Sequence, residues 1–396
     1  MSVPRRTSRL AVGAAGALAG LALLACSLGG SVTPTETPVP PPTNTAPATL
    51  APATATRAPT DTAEPPTATV APSATMAPVI LLAIAGPGKK VALVTLAGQS
   101  VPLAQAPGNL YALATLSTDP AAASQAYVIG PQGVKPLAFV NHSSEGFASF
   151  TGASAPQGEV AWDHWATASA TGTVKSEIFV ADSDGSKLRS VLTLSSDQVL
   201  HVVRFSPDGQ TLFYSQEPLG LGGYIPFSSG VSDLFELDLA SGTSRQLVPA
   251  AAAGVICLDD FAPDVSLVAL HCNGKTIDLL DTTTGTIGQI TAPAGAADWQ
   301  AHGDARLSPN QSRVAYGLAR GDPNNEQGWV AVSDSLTGTS HLVATAPAGD
   351  YYSVKGWLND STLVLQSWGT QPGVWVVQAD GSDLRRLADG IFLSVG

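Results

Sequence analysis

Few residues in this chain could do acid–base or nucleophilic work, and they are scattered. His164 follows Asp163, His302 precedes Asp304, and Asp322 lies a little further on. Two carboxyls about 5–9 Å apart, with an imidazole near, would suit glycoside hydrolysis. One reading is therefore a carbohydrate-active enzyme using Asp163, Asp304 or Asp322 with His164 or His302. Other catalytic strings are absent: there is no Gly-x-Ser-x-Gly and no His-Glu-x-x-His. Gly88-Lys89 sits where a phosphate loop would need Gly at 83 and Ser or Thr at 90, but those positions hold Ala83 and Lys90. Asp182-Ser183-Asp184-Gly185 opens like a calcium loop and lacks the downstream bidentate Glu. The pattern implies no metal and no cofactor.

These residues are set by short strands that recur. Val203-Arg204-Phe205-Ser206-Pro207-Asp208-Gly209 leads into Thr211–Tyr214, Leu307-Ser308-Pro309-Asn310-Gln311 into Arg313–Tyr316, and Gly356-Trp357-Leu358-Asn359-Asp360 into Thr362–Leu365. Each is followed by two strands around a glycine turn. Such a unit, recurring at roughly 45 residues, cannot bury its faces alone and must stack on copies of itself. The fold class expected is all-β: a propeller of four-stranded blades. Glycine turns at Gly98, Gly133, Gly185, Gly242, Gly285, Gly338 and Gly381 give seven blades, with six as the alternative because Leu110–Phe139 is short. Ile391–Val395 follows the last unit and is expected to complete blade one as its innermost strand.

In this arrangement the turns between the first and second strands of a blade are tight, and those between the second and third are long. Asp163–Ser176, Glu217–Ser232, Ala292–Gly303, Arg320–Gly328 and Ser367–Gly373 are all expected at one mouth of the channel. They carry His164, Trp165, Tyr224, Phe227, Trp299, His302, Arg320 and Trp368, residue types suited to recognition. Each aromatic could equally pack on its own blade. Arg204 and Arg306 hold equivalent positions in channel-lining strands. They could meet an anionic ligand or pair with Asp260 or Asp304.

Cys257 and Cys272 flank the turn Pro263–Ser266 symmetrically. In an unbroken hairpin they face each other, with Cα atoms as close as about 4.5 Å, within disulfide reach. Two buried thiols are the alternative.

Phe205-Ser206-Pro207-Asp208-Gly209-Gln210-Thr211-Leu212-Phe213 and Asp380-Gly381-Ser382-Asp383-Leu384-Arg385-Arg386-Leu387 resemble the WD40-like PD40 repeat of the TolB family. The resemblance covers Val199–Leu387 and implies a periplasmic or surface propeller that binds proteins. The α/β domain that precedes the TolB propeller has no counterpart here. The motif residues read as structural: Pro207, Pro263 and Pro309 preset φ, and Asp208 or Asn310 bonds the turn backbone.

The N-terminal residues read as an address. Arg5, Arg6 and Arg9 precede the apolar run Leu10–Leu24, and Leu23-Leu24-Ala25-Cys26 resembles the bacterial lipobox, which implies cleavage before Cys26 and its lipidation. Ser31–Pro78 is nearly all Pro, Thr and Ala and cannot bury a core; extended, it would reach on the order of 100 Å. The expected domains are a signal peptide (1–25), a lipidated linker (26–78) and a propeller (79–396) on the extracytoplasmic side of a bacterial cell envelope. A net charge of −12 and the lack of a basic cluster beyond the N-terminus argue against nucleic acid. The partners expected are the membrane, through the lipid, and a cell-envelope protein or peptide. A glycan or a transported solute, captured at the channel mouth, is the alternative.

Overall fold

The computed structural model describes residues 80–395, apart from 87–89, 107, 115–124, 141–148, 153–157, 168–172, 219–229, 251–257, 272–275, 297–300, 321–326 and 370–371. Cys26, the proposed signal and linker segments, Tyr224, Phe227, Cys257, Cys272, Trp299 and Asp322 lie outside the described residues, as does the side chain of His302.

Seven antiparallel sheets form the fold. Blade one joins β1 (Leu81–Ala85), β2 (Val91–Thr95) and β3 (Ser100–Val101) to β27 (Ile391–Val395). Among the described residues blade two has three strands, β4 (Leu110–Ala114), β5 (Gln125–Gly130) and β6 (Gly133–Pro136), as the short sequence unit suggested. Blade three is β7 (Phe150–Gly152), β8 (Glu159–Thr167), β9 (Val174–Asp182) and β10 (Arg189–Ser196). Blade four is β11 (Gln198–Phe205), β12 (Thr211–Pro218), β13 (Leu234–Asp238) and β14 (Ser244–Val248). Blade five is β15 (Leu258–Phe261), β16 (Leu267–Leu270), β17 (Thr276–Asp281) and β18 (Ile287–Thr291). Blade six is β19 (Ala301–Leu307), β20 (Arg313–Arg320), β21 (Gln327–Asp334) and β22 (Ser340–Thr345). Blade seven is β23 (Tyr351–Asn359), β24 (Thr362–Trp368), β25 (Gly373–Gln378) and β26 (Arg385–Asp389).

The blades are held by what lies between them. Leu81, Ala83 and Leu93 of blade one pack on Leu110, Ala112 and Ile129 of blade two. Equivalent clusters join each further pair, and the seventh packs Leu82, Ile84 and Val94 against Val364, Val374 and Val376, closing the ring. Both faces of a blade are therefore apolar, which explains runs such as Thr362–Leu365 that do not alternate.

β27 closes the circle as expected. It pairs antiparallel with β1, setting Val395 opposite Leu82 and Ile391 opposite Ala85. Gln366, with 0% of its surface exposed, clamps the strand from blade seven: its Oε1 accepts the Phe392 N–H at 2.8 Å and its Nε2 donates to Gly390 O at 3.0 Å.

The turns follow the sequence reading. The seven predicted glycines all have positive φ, from 67° at Gly338 to 105° at Gly133, a region L side chains avoid. Asp208 Oδ1 accepts the Gln210 N–H at 3.1 Å, and Asn310 Oδ1 accepts that of Ser312 at 3.0 Å. Asp182 and Asp184, the calcium-like pair, bond Ser186 and Lys187 within their own turn.

A feature not expected from sequence is a repeated bulge. The first and second strands of blades four to seven slip register at Val203, Asp259, Asp304–Ala305 and Lys355. A bulge re-aims side chains, and here it does so at the same level in four consecutive blades.

Candidate functional site

The bulges turn charged side chains onto the channel wall of blades four to seven. One position beyond the bulge, Arg204, Asp260 and Arg306 occupy equivalent sites in consecutive blades. Arg204 Nη1 lies 3.4 Å from Asp260 Oδ1, and its Nη2 donates to the carbonyls of Phe261 and Ala262. Its guanidinium also stacks 3.7 Å from the Phe261 ring centroid. Asp260 Oδ2 accepts the Leu307 N–H at 2.9 Å. Arg306 Nη1 donates to Asp259 O at 3.0 Å and Ala305 O at 2.8 Å, and Arg306 O accepts the Trp357 indole N–H at 2.8 Å. Four blades are thus laced together by polar groups at one level.

Further along the channel lie two histidine–carboxylate groups. His201 Nδ1 is 2.9 Å from Ser149 Oγ and 3.6 Å from Asp163 Oδ2, and its Nε2 is 3.9 Å from Glu217 Oε2. Burial lowers the His201 pKa, but the Asp163 and Glu217 carboxylates outweigh it and raise the imidazole above its ordinary value. Burial raises Glu217 and Asp233, which share the Ser215 hydroxyl. In blade five, His271 Nδ1 lies 2.8 Å from Asp259 Oδ1. Burial pulls His271 down, and Asp259 and Asp304 outweigh it. Lys355 is lowered by burial and further by Arg306, with Asp304 opposing.

Among the cavities of the described residues, one of about 580 Å³ is walled by β27, β4 and β7, with Tyr111, Phe150, Leu393 and Val395 among its lining. One of about 340 Å³ is lined by Arg204, Asp260, Phe261, Arg306 and Trp357. A third, about 260 Å³, lies beside Ser206 and Pro207 and shares Thr151 and Gly152 with the first and Arg204 and Pro263 with the second.

Of the residues singled out from sequence, Arg204 and Arg306 line a cavity, and Arg204 also makes the predicted pair with Asp260. The segment from Asp163 to Ser176 is less of a loop than expected: β8 runs to Thr167, pairing His164 with Glu177 and Trp165 with Ser176. Both are half-buried. Arg320 ends β20, donates to Gln327 Oε1 at 2.9 Å and lies 5.6 Å from the Trp329 ring centroid. Trp368 ends β24, 5.9 Å from Lys355 Nζ. These four sit at the mouth where the second strands end, opposite the Ser-Pro-Asp-Gly turns.

Of the carboxylates named for catalysis, Asp163 and Asp304 anchor neighbouring strands, and Asp322 lies outside the described residues. Asp163 is 0% exposed, and its Oδ2 accepts the N–H groups of Ser149 at 2.9 Å and Val202 at 3.2 Å. Asp304 Oδ2 accepts the Ser353 hydroxyl at 2.7 Å across to blade seven. Among the described residues no cluster of three or more His, Cys, Asp or Glu side chains suits a metal ion.

The facing arrangement of Cys257 and Cys272 assumed an unbroken hairpin. The bulge at Asp259 sets Leu258 opposite Leu270, where unbroken register would set it opposite His271. Direct pairing therefore no longer follows from the register, and the cysteines themselves lie outside the described residues.

The sequence reading missed His201, Glu217, Asp233, His271 and Lys355. Aligning the repeats offers one signal, since Lys355 and Asp259 share the bulge position just before the Arg204/Asp260/Arg306 site.

No family model matches the chain, and no curated protein matches its sequence. Among solved structures it is similar to the oligogalacturonate lyase of Vibrio parahaemolyticus (14% identity, 61% of each chain, TM-score 0.36). It is similar also to the β-propeller domain of the Trilobed protease of Pyrococcus furiosus (10% identity, 61% of this chain and 72% of that one, TM-score 0.39). A third is a putative 6-phosphogluconolactonase of Bacteroides fragilis (14% identity, 73% of this chain and 98% of that one, TM-score 0.38). The match spans about three fifths of the lyase's length. The fold class rests on sheet order and ring closure, and these likenesses assign no activity.

Proposed function

We propose that the chain is a lipid-anchored, extracytoplasmic propeller of the bacterial cell envelope, built from TolB-like PD40 repeats, that works as a binding or scaffold module. The lipobox-like Leu23-Leu24-Ala25-Cys26 and the Pro/Thr-rich stretch supply the anchor and the reach. The observation that carries the binding role is the shared placement of His164, Trp165, Arg320 and Trp368 at the channel mouth where the second strands of blades three, six and seven end. A rigid ring presenting aromatic and cationic side chains on one rim suits a protein or peptide partner. The enzyme reading loses ground because Asp163 and Asp304 are bound to the neighbouring blade.

Two experiments test the reading. Metabolic labelling with an alkyne fatty acid should tag the protein and leave Cys26→Ser untagged; equal labelling of both removes the anchor. A photo-crosslinking residue at Trp368 or His164 should capture a partner in cells that the same residue at Asp208, on the opposite mouth, does not. Capture from Asp208 alone would overturn the assignment of the binding rim.

A further inference from the structure

Lys355 is the extra residue of the bulge in β23, the channel-lining strand of blade seven. Tyr351, at the start of that strand, pairs with Trp368, and Lys355 Nζ comes within 5.9 Å of the Trp368 ring centroid. The Lys355 side chain therefore runs back along the wall toward the mouth where β24 ends.

The lack of a partner sets this lysine apart. Lys135 donates to Gln132 Oε1 at 2.6 Å, Lys175 pairs with Glu177 at 2.8 Å and Lys187 with Asp182 at 2.9 Å, and all three are exposed. Lys355 is half-buried, and among the described residues its ammonium has neither a hydrogen bond nor an ion pair. Asp304, the carboxylate that acts on it, lies beyond ion-pair distance and already accepts the Ser353 hydroxyl. Three donors withdrawn from water without an acceptor disfavour the charged form. Burial lowers the Lys355 pKa and the Arg306 guanidinium lowers it further, with Asp304 opposing.

A desolvated lysine beside a second cation is an amine ready to attack a carbonyl carbon. In that step Nζ forms a C–N bond to an aldehyde carbon. The two amine protons end on the aldehyde oxygen, which leaves as water, and an imine remains. The 5.9 Å between Nζ and the Trp368 ring admits a flat, conjugated group stacked on the indole, since aromatic rings attract at centroid separations of roughly 4.5–7 Å.

We propose that Lys355 is a nucleophilic amine that condenses with a small aldehyde carrying a planar, conjugated body, and that Trp368 is the platform for that body. This chemistry goes beyond the binding role of the rim and does not depend on a macromolecular partner.

The test is reductive alkylation of the purified full chain carrying Cys26→Ser, with benzaldehyde and cyanoborohydride. Peptide mass spectrometry follows the adduct on each lysine. At about pH 7.5, well below the ordinary lysine value of about 10.4, Lys355 should react roughly tenfold faster than Lys135, Lys175 or Lys187. With acetaldehyde, which has no flat body, that lead should shrink severalfold. Trp368→Ala, a positioning change, should abolish the preference for benzaldehyde. A Lys355 rate equal to or below that of the three partnered lysines overturns the inference. A benzaldehyde preference kept in Trp368→Ala with a native melting profile overturns the platform. The first comparison is made within the native chain, so it decides the nucleophile whether or not the variant folds.

Discussion

The Arg204 guanidinium of blade four lies over the Phe261 ring of blade five, 3.7 Å from its centroid, while its Nη1 is 3.4 Å from Asp260 Oδ1. Only a planar cation with several donors can stack and bond two carbonyls at once. Arg204→Lys keeps the charge and loses that geometry, and should destabilise the fold by about 1–2 kcal/mol. Chemical denaturation measures it. A midpoint equal to that of the native chain would show that the stack contributes nothing.

Gln366 is the second joint. Its amide bonds both sides of the closing strand, at Gly390 O and the Phe392 N–H. Gln366→Leu keeps the volume and strands those backbone groups, at a cost of about 1–3 kcal/mol. Deleting 391–396 should lower thermal stability further, since Phe392 and Leu393 leave two cores and β1 loses its partner. A deletion variant that melts like the native chain would mean β27 does not close the ring.

Gly152 lets blade two meet blade three. A Cβ there would overlap the Tyr111 ring, whose hydroxyl donates to Gly158 O at 3.1 Å. Gly152→Ala should destabilise by about 1–3 kcal/mol through overpacking. In Tyr111→Ala the same change should cost almost nothing, and additive losses in the double-mutant cycle would refute the contact.

Stability should fall on both sides of mildly acidic pH. Asp208, Asp238, Asp281 and Asp334 accept hydrogen bonds in their turns, which lowers their pKa values. Their contribution is present above the ordinary carboxylate value of about 4 and is lost as pH falls through the lower folded values. His201 and His271 are raised against the opposing effect of burial. Their contribution is complete below the ordinary value of about 6.5 and is lost as pH rises through the folded values. Glu217 and Asp233, raised by burial, push the same way. The double variant His201→Gln/His271→Gln should flatten the decline above about pH 6.5 and leave the acid limb intact. Melting temperatures across pH check this, and an unchanged alkaline limb would exclude these imidazoles as its source.

The sequence alone determined what depends on local chemistry and on counting repeats. Glycine at seven turn positions, Asp208 and Asn310 in their turns, the short second blade and the orphan strand Ile391–Val395 were all readable, because each is fixed by residues a few positions apart or by a missing partner. Tertiary structure decided the site. A bulge shifts register by one residue through packing against neighbouring blades, and no local propensity marks Asp259 or Lys355 as the extra residue. Because of that shift, the register no longer implies the facing arrangement of Cys257 and Cys272, and Arg204, Asp260 and Arg306 align at one level. The shift also set Asp304 against blade seven. Asp163 and His201, far apart in sequence, meet because blades three and four stack, and there the Asp163 and Glu217 carboxylates raise the His201 pKa against the opposing effect of burial.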